Sequence, residues 1–142
     1  MSEIDLKTLK HVHFIGIGGI GMSAIARMFL LDGKKVTGSD LSESLVTSEL
    51  EKYGAKIFYT QDASNMDEDV DLVVYTVAIP STNSELTEAR RRGIAVRSYP
   101  EILGIISKDK YTIAVSGTHG KTTTTAMIAQ VLIDAGMDPT VI

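Results

Sequence analysis

Short apolar runs that read as strands alternate with apolar-striped segments that read as helices along almost the whole chain, and twice a glycine-rich turn sits where strand gives way to helix. That alternation is the pattern of a parallel sheet with helices on its faces, because parallel neighbours must be joined by a long crossover. The spacing predicts strands over residues 11–15, 35–39, 56–59, 71–76 and 95–97. It predicts helices over about 20–31, from a cap at Ser42 to Gly54 with Val46, Leu50 and Tyr53 on one face, over about 84–92, and from Pro100 to Ile106. Strand 71–76 is the most apolar and is expected inside the sheet. His11 and His13 alternate on the first strand and read as edge or strand-end residues rather than metal ligands.

The 142 residues, 44% hydrophobic with three prolines, suit about one domain with a sizeable core. The absence of cysteine excludes disulfides, thiolate metal sites and a cysteine nucleophile, and agrees with a reducing compartment, the cytoplasm by default. Charges interrupt the first residues where a signal peptide needs an apolar core, and no apolar run approaches the ~20 residues of a membrane span. A net charge of −4 argues against nucleic acid as a partner. The one dense basic cluster, Arg90-Arg91-Arg92, falls in the last turn of a predicted helix ending at Gly93, where cations suit the helix dipole.

Ser107-Lys108-Asp109-Lys110 is polar and turn-like, and divides residues 1–107 from 108–142. Beyond it come a strand over 111–115, the second glycine turn, a helix with Met127, Ile128, Val131, Leu132 and Ala135 on one face, and a stop at Gly136. One strand and one helix cannot bury both faces of a sheet strand alone. The chain ends soon after Thr123, so a later carboxylate that would complete a metal site is not expected downstream.

The first turn, Gly16-Ile17-Gly18-Gly19-Ile20-Gly21, is a G-x-G-x-x-G directly between strand and helix. Its glycines either let backbone N–H groups approach a diphosphate or merely permit close strand-helix packing. Asp40, with Ser39 before it, ends the second strand where an acid would meet a ribose hydroxyl, which favours a bound diphosphate nucleotide. The second turn, Gly117-Thr118-His119-Gly120-Lys121-Thr122-Thr123, lacks the first glycine of the general phosphate loop, Val115 standing there. It keeps the amides, the Lys121 charge and the Thr122 hydroxyl that a nucleoside triphosphate and its magnesium need. His119 has no acid or cysteine nearby in sequence and reads as a loop-shaping residue.

Residues 13–23, Gly38-Ser39-Asp40, Ala78-Ile79 with Asn83 and Glu85, and residues 117–125 together closely resemble the Mur ligases, most nearly the members that join L-alanine to UDP-N-acetylmuramate. The resemblance runs from about His11 to Ile142. It implies a Rossmann-like α/β domain over 1–107 that binds the UDP-sugar, followed over 108–142 by the first strand, loop and helix of a P-loop ATP-binding domain. In such enzymes ATP phosphorylates the muramoyl carboxylate, and the amino group of alanine attacks the acyl phosphate. Carried over, Gly16, Ile17, Gly18, Gly19, Ile20 and Gly21 would hold the diphosphate, Ser39 and Asp40 would lie by the ribose or uracil, and Thr76, Val77, Ala78 and Ile79 would line the substrate cleft. Gly117, Thr118, His119, Gly120, Lys121, Thr122 and Thr123 would bind ATP, with Lys121 and Thr122 catalytic and Thr122 meeting Mg2+. Ser84 and Thr76-Val77 depart from the commoner family residues at their positions. The implied role of these residues is binding rather than unaided ligation. The competing reading is an NAD-binding module of an oxidoreductase or sensor, for which residues 16–21 and Asp40 serve equally well but the second loop has no use.

Overall fold

The computed structural model describes residues 4–108 and 110–142, which fall in two compact units, Met1–Lys108 and Asp109–Ile142. In the first unit the described residues form a five-stranded, all-parallel sheet of order β3-β2-β1-β4-β5. The strands are β1 (His11–Ile15), β2 (Lys35–Ser39), β3 (Lys56–Phe58), β4 (Leu72–Tyr75) and β5 (Ala95–Ser98). Between them run α1 (Ile20–Leu31), α2 (Leu45–Lys52), a 3-10 turn (Ala63–Asn65) and α3 (Ser84–Arg91), and α4 (Tyr99–Ser107) follows β5.

The strands sort their side chains by parity. Val12 and Phe14 of β1, Val36 of β2, and Leu72 and Val74 of β4 face one side, where α1 brings Met22, Ile25, Ala26 and Phe29, α2 brings Leu50 and α4 brings Ile102. The spacing i, i+3, i+4, i+7 in α1 puts its four residues on one stripe, and each fully buried large side chain contributes about 1.5–3 kcal/mol. Ile15 and Val73 face the other side, against Leu86 and Ala89 of α3 with Met66 and Val70. Both faces of β1 and β4 are covered, as the interior position expected for the fourth strand requires.

The helix ends show why these segments start where they do. The Ser44 hydroxyl accepts the Thr47 N–H at 3.2 Å while the Thr47 hydroxyl accepts the Ser44 N–H at 2.8 Å. This reciprocal box, not Ser42, caps α2, because only Ser44 stands three residues before a hydroxyl that can reach back. Asn83 caps α3 by accepting the Leu86 N–H, and Glu101 closes the start of α4 on the Ser98 N–H and hydroxyl, both at 2.7 Å.

Two expectations are overturned. His13 is neither at a sheet edge nor at a strand end, and although His11 does begin β1, both rings are fully buried in the central strand, hydrogen-bonded to Thr37 of β2, to Asp69 and to Glu85 of α3. Residues 111–115 form no strand: the described residues of the second unit, taken by itself, include no other strand to pair with, and an unpaired strand leaves its backbone groups without partners. Among its described residues the helix is α5 (Lys121–Asp134), which follows its N-cap Gly120 and ends before Gly136, whose φ of +76° is the left-handed stop that suits glycine.

Candidate functional site

The chain leaves β1 between β2 and β4, where successive connections depart to opposite sides and a crevice opens at the carboxyl ends of the strands. The glycine loop lies there, and most of its amides are used internally. Gly16 and Ile17 donate to the Ser39 carbonyl at 2.8 and 3.0 Å, Gly18 donates to Asp40 Oδ2 at 2.7 Å, and Gly19 donates to the Gly16 carbonyl at 3.3 Å. The first helical bond of α1 is Ser23 N–H to the Gly19 carbonyl, and Gly19 has no side chain with which to cap. The amides of Ile20, Gly21 and Met22 are thus left without helical acceptors at the positive end of the helix. They border an open cleft of about 190 Å³ lined by Gly19, Ile20, Gly21, Met22, Thr76 and Tyr99.

Two glycines that border the cleft wall are fixed by what crowds them. Gly16 has φ +82°, and a Cβ there would lie 2.6 Å from the Thr76 methyl. A Cβ on Gly21 would collide with the ring of Tyr99, so its absence is what lets the first turn of α1 and the start of α4 form one wall.

Of the residues expected to line the cleft, Thr76 does so, whereas Val77 and Ala78 are exposed beyond it and Ile79 packs inward against the α3 side of the core. Ser39 is fully buried with its hydroxyl donated to Glu85, so it does not lie open to a ribose. Both Asp40 oxygens are engaged, Oδ2 with Gly18 N–H and Oδ1 with Leu41 N–H at 2.7 Å. Sequence reasoning missed Tyr99, although its place at the end of β5 is where an open parallel sheet presents its binding groups.

Beneath the loop runs a buried polar chain. His11 Nδ1 meets Asp69 Oδ1 at 2.8 Å, His11 Nε2 meets the Thr37 hydroxyl at 2.9 Å, and that hydroxyl meets His13 Nδ1 at 2.8 Å. His13 Nε2 faces Glu85 Oε1 at 3.2 Å, and Glu85 accepts the Ser39 hydroxyl at 2.6 Å and the Asn65 amide at 3.0 Å. Burial pushes the His11 pKa down, keeping the ring neutral, while the His11 hydrogen bond and then Lys35 hold Asp69 below the usual carboxylate range. Proton directions follow: His11 Nδ1–H donates to Asp69, Thr37 O–H donates to His11 Nε2, and His13 Nδ1–H donates to Thr37. One proton then remains for the His13 Nε2 and Glu85 Oε1 contact. His11, Asp67 and Asp69 could in principle ligate a metal, since their ligand atoms lie within 4.8 Å of one another. The Lys35 ammonium, 2.8 Å from Asp67 and 3.1 Å from Asp69, makes the group an ion-pair cluster instead.

In the second unit, Gly117 has φ +151° and Gly120, the residue before α5, has φ +75°, conformations that glycine alone adopts freely. Thr124 N–H closes on the Gly120 carbonyl at 2.9 Å, so the Lys121, Thr122 and Thr123 amides begin the helix without acceptors. Lys121 curls back to donate its ammonium to the Gly117 carbonyl at 2.7 Å, spanning the loop's concavity. Gly117, Thr118, His119, Lys121, Thr122 and Thr123 are all exposed. Open amides, a reaching lysine and an adjacent hydroxyl on one helix start fit a phosphate chain with its magnesium.

The family model described as Mur ligase family, catalytic domain, matches residues 11–111. The UDP-N-acetylmuramate–L-alanine ligase of Clostridium kluyveri is 52% identical over 141 residues, covering 99% of this chain and 31% of the relative. Among solved structures, the UDP-N-acetylmuramate-alanine ligase MurC from Thermotoga maritima superposes with a TM-score of 0.83 at 39% identity, over 90% of this chain and 30% of that one. A murein peptide ligase from Psychrobacter arcticus gives a TM-score of 0.80 at 32% identity, over 89% and 27%. The chain therefore spans about a third of the length of these relatives. With the parallel sheet, the glycine loop at its switch point and a family match extending over most of its length, this chain belongs to the Mur ligase family.

Proposed function

We propose that this chain is the N-terminal portion of an ATP-dependent amide ligase that joins L-alanine to UDP-N-acetylmuramate in peptidoglycan synthesis in the cytoplasm. Residues 1–107 serve as the UDP-sugar-binding domain and 108–142 as the start of the ATP-binding domain. The observation that carries the reading is the set of three open amides, Ile20, Gly21 and Met22, beside the cleft at the sheet's switch point. They offer a diphosphate the positive end of a 12-residue helix without any charged side chain. Gly16, Ile17, Gly18 and Gly19 shape the turn that aims them, Asp40 holds Gly18 in place, and Thr76 and Tyr99 wall the cleft. Ser39 acts from beneath, through its carbonyl, and Val77 and Ala78 continue the edge of the substrate cleft, with Ile79 packed against the core behind them.

In the second unit Gly117, Thr118, His119, Gly120 and Thr123 frame the ATP phosphates, Lys121 exchanges the Gly117 carbonyl for a phosphate oxygen, and Thr122 offers its hydroxyl to Mg2+. ATP supplies the phosphoryl group that activates the sugar's carboxylate. Family membership and this second loop support a UDP-sugar over a nicotinamide dinucleotide as the first loop's ligand. In titration calorimetry UDP-N-acetylmuramate should bind the chain with measurable heat and NADH should not. Tighter binding of NADH would reverse the assignment.

A further inference from the structure

The glycine loop is held from outside itself. Ser39 carries the Gly16 and Ile17 amides on its carbonyl, and the next residue, Asp40, carries the Gly18 amide on its carboxylate. Three of the loop's amides thus hang on the end of β2, and among the described residues the side-chain bond that ties that end to the far face of the sheet is Ser39 O–H to Glu85 Oε2 at 2.6 Å. Glu85 comes from α3, is fully buried, and has its other oxygen on Asn65 Nδ2 at 3.0 Å and His13 Nε2 at 3.2 Å.

A buried carboxylate is an expensive way to fill a core, since well-packed apolar groups usually do as well. Here the carboxyl group meets a demand that the amide of the same shape does not. Ser39 and Asn65 each present a donor to a different oxygen, and the single proton of the His13 contact completes the set. A glutamine would either turn its amino group onto the Asn65 amide, donor against donor, or present it to the Ser39 oxygen and turn the serine hydroxyl away.

We infer that Glu85 is a positioning residue for the nucleotide loop, anchoring Ser39 so that its carbonyl sets the Gly16 and Ile17 amides and thereby the aim of the open amides that begin α1. Its effect on ligand rests on the reading of the loop as a UDP-sugar site, whereas its effect on the empty loop does not.

Backbone amide hydrogen exchange, followed by NMR, on Glu85→Gln and on Ser39→Ala, compared with a core variant on the opposite face, Ile102→Val, tests it. In Glu85→Gln and Ser39→Ala the Gly16 and Ile17 amides should exchange about tenfold faster or more, while the Val12 and Phe14 amides of β1 change as they do in Ile102→Val. In calorimetry both variants should lose about tenfold in affinity for UDP-N-acetylmuramate, and the double variant should be no weaker than either single one, because both remove the same bond. Uniform acceleration along β1, matching the Ile102→Val pattern, overturns the inference and leaves Glu85 a stabilising group only, as do additive losses of affinity. If wild type itself does not bind UDP-N-acetylmuramate, the functional reading falls and the exchange pattern still decides the role of Glu85. Should Glu85→Gln not fold, Ser39→Ala, which removes one oxygen, carries the same comparison.

Discussion

Gly16 joins a backbone need and a packing need at one position. Its φ of +82° costs a residue with a Cβ roughly 1–2 kcal/mol, and that Cβ would also press into the Thr76 methyl at 2.6 Å. Gly16→Ala should therefore lower stability by more than the strain alone, as read from denaturant unfolding. Pairing it with Thr76→Ser, which removes the methyl, should recover the steric part and leave the strain. A double variant no more stable than Gly16→Ala would show that the Thr76 contact is harmless. The glycine pattern was legible in the sequence because a positive φ leaves a compositional mark. The burial of His11 and His13 in the central strand was not legible, since alternation along one strand gives a side chain's parity but not the strand's place in the sheet. The missing signal was the matching alternation of Thr37 and Ser39 on β2, in register as His13 with Thr37 and Ile15 with Ser39.

Helix α3 has a different task at each end. Its first turn carries Glu85 into the sheet, and its last turn gathers Arg91 and Arg92 on Glu88 at 2.6–2.7 Å. Hydrogen bonds from Arg91 and then Arg92 push the Glu88 pKa from its ordinary 4.5 down to about 2. A carboxylate whose pKa is lower in the folded than in the unfolded state contributes stability above its unfolded pKa and loses it as pH falls through the folded one. The melting-temperature gap between wild type and Glu88→Gln should thus be full near neutral pH and shrink between about pH 5 and pH 2. Solvent screening keeps the gap small, and a gap independent of pH would mean that the cluster contributes nothing. The basic run was read correctly as a helix terminus from its position before Gly93, but its clamp on Glu88 needed the side-chain geometry. Likewise the cap of α2 fell two residues from Ser42, because capping turns on which hydroxyl finds a partner three residues on.

At the scale of the molecule, the cleft and every residue that shapes it lie within the first unit. A chain ending at Lys108 should accordingly bind UDP-N-acetylmuramate within about twofold of the 142-residue chain, as calorimetry would read, since a compact unit with its own core keeps its site. A large loss would mean that residues 109–142 take part in the site. The alternation of strand and helix, the two glycine turns and the parity of apolar residues were determined by the sequence alone, because each is a local preference of a few neighbouring residues. Strand order, the burial of His13 against Glu85, and the division of the first loop's amides into those bonded internally and those left open were decided only by tertiary structure. Each depends on groups such as Ser39 and Glu85, 46 positions apart along the chain, and a pattern of near neighbours carries no information about which distant partner a buried polar group will find.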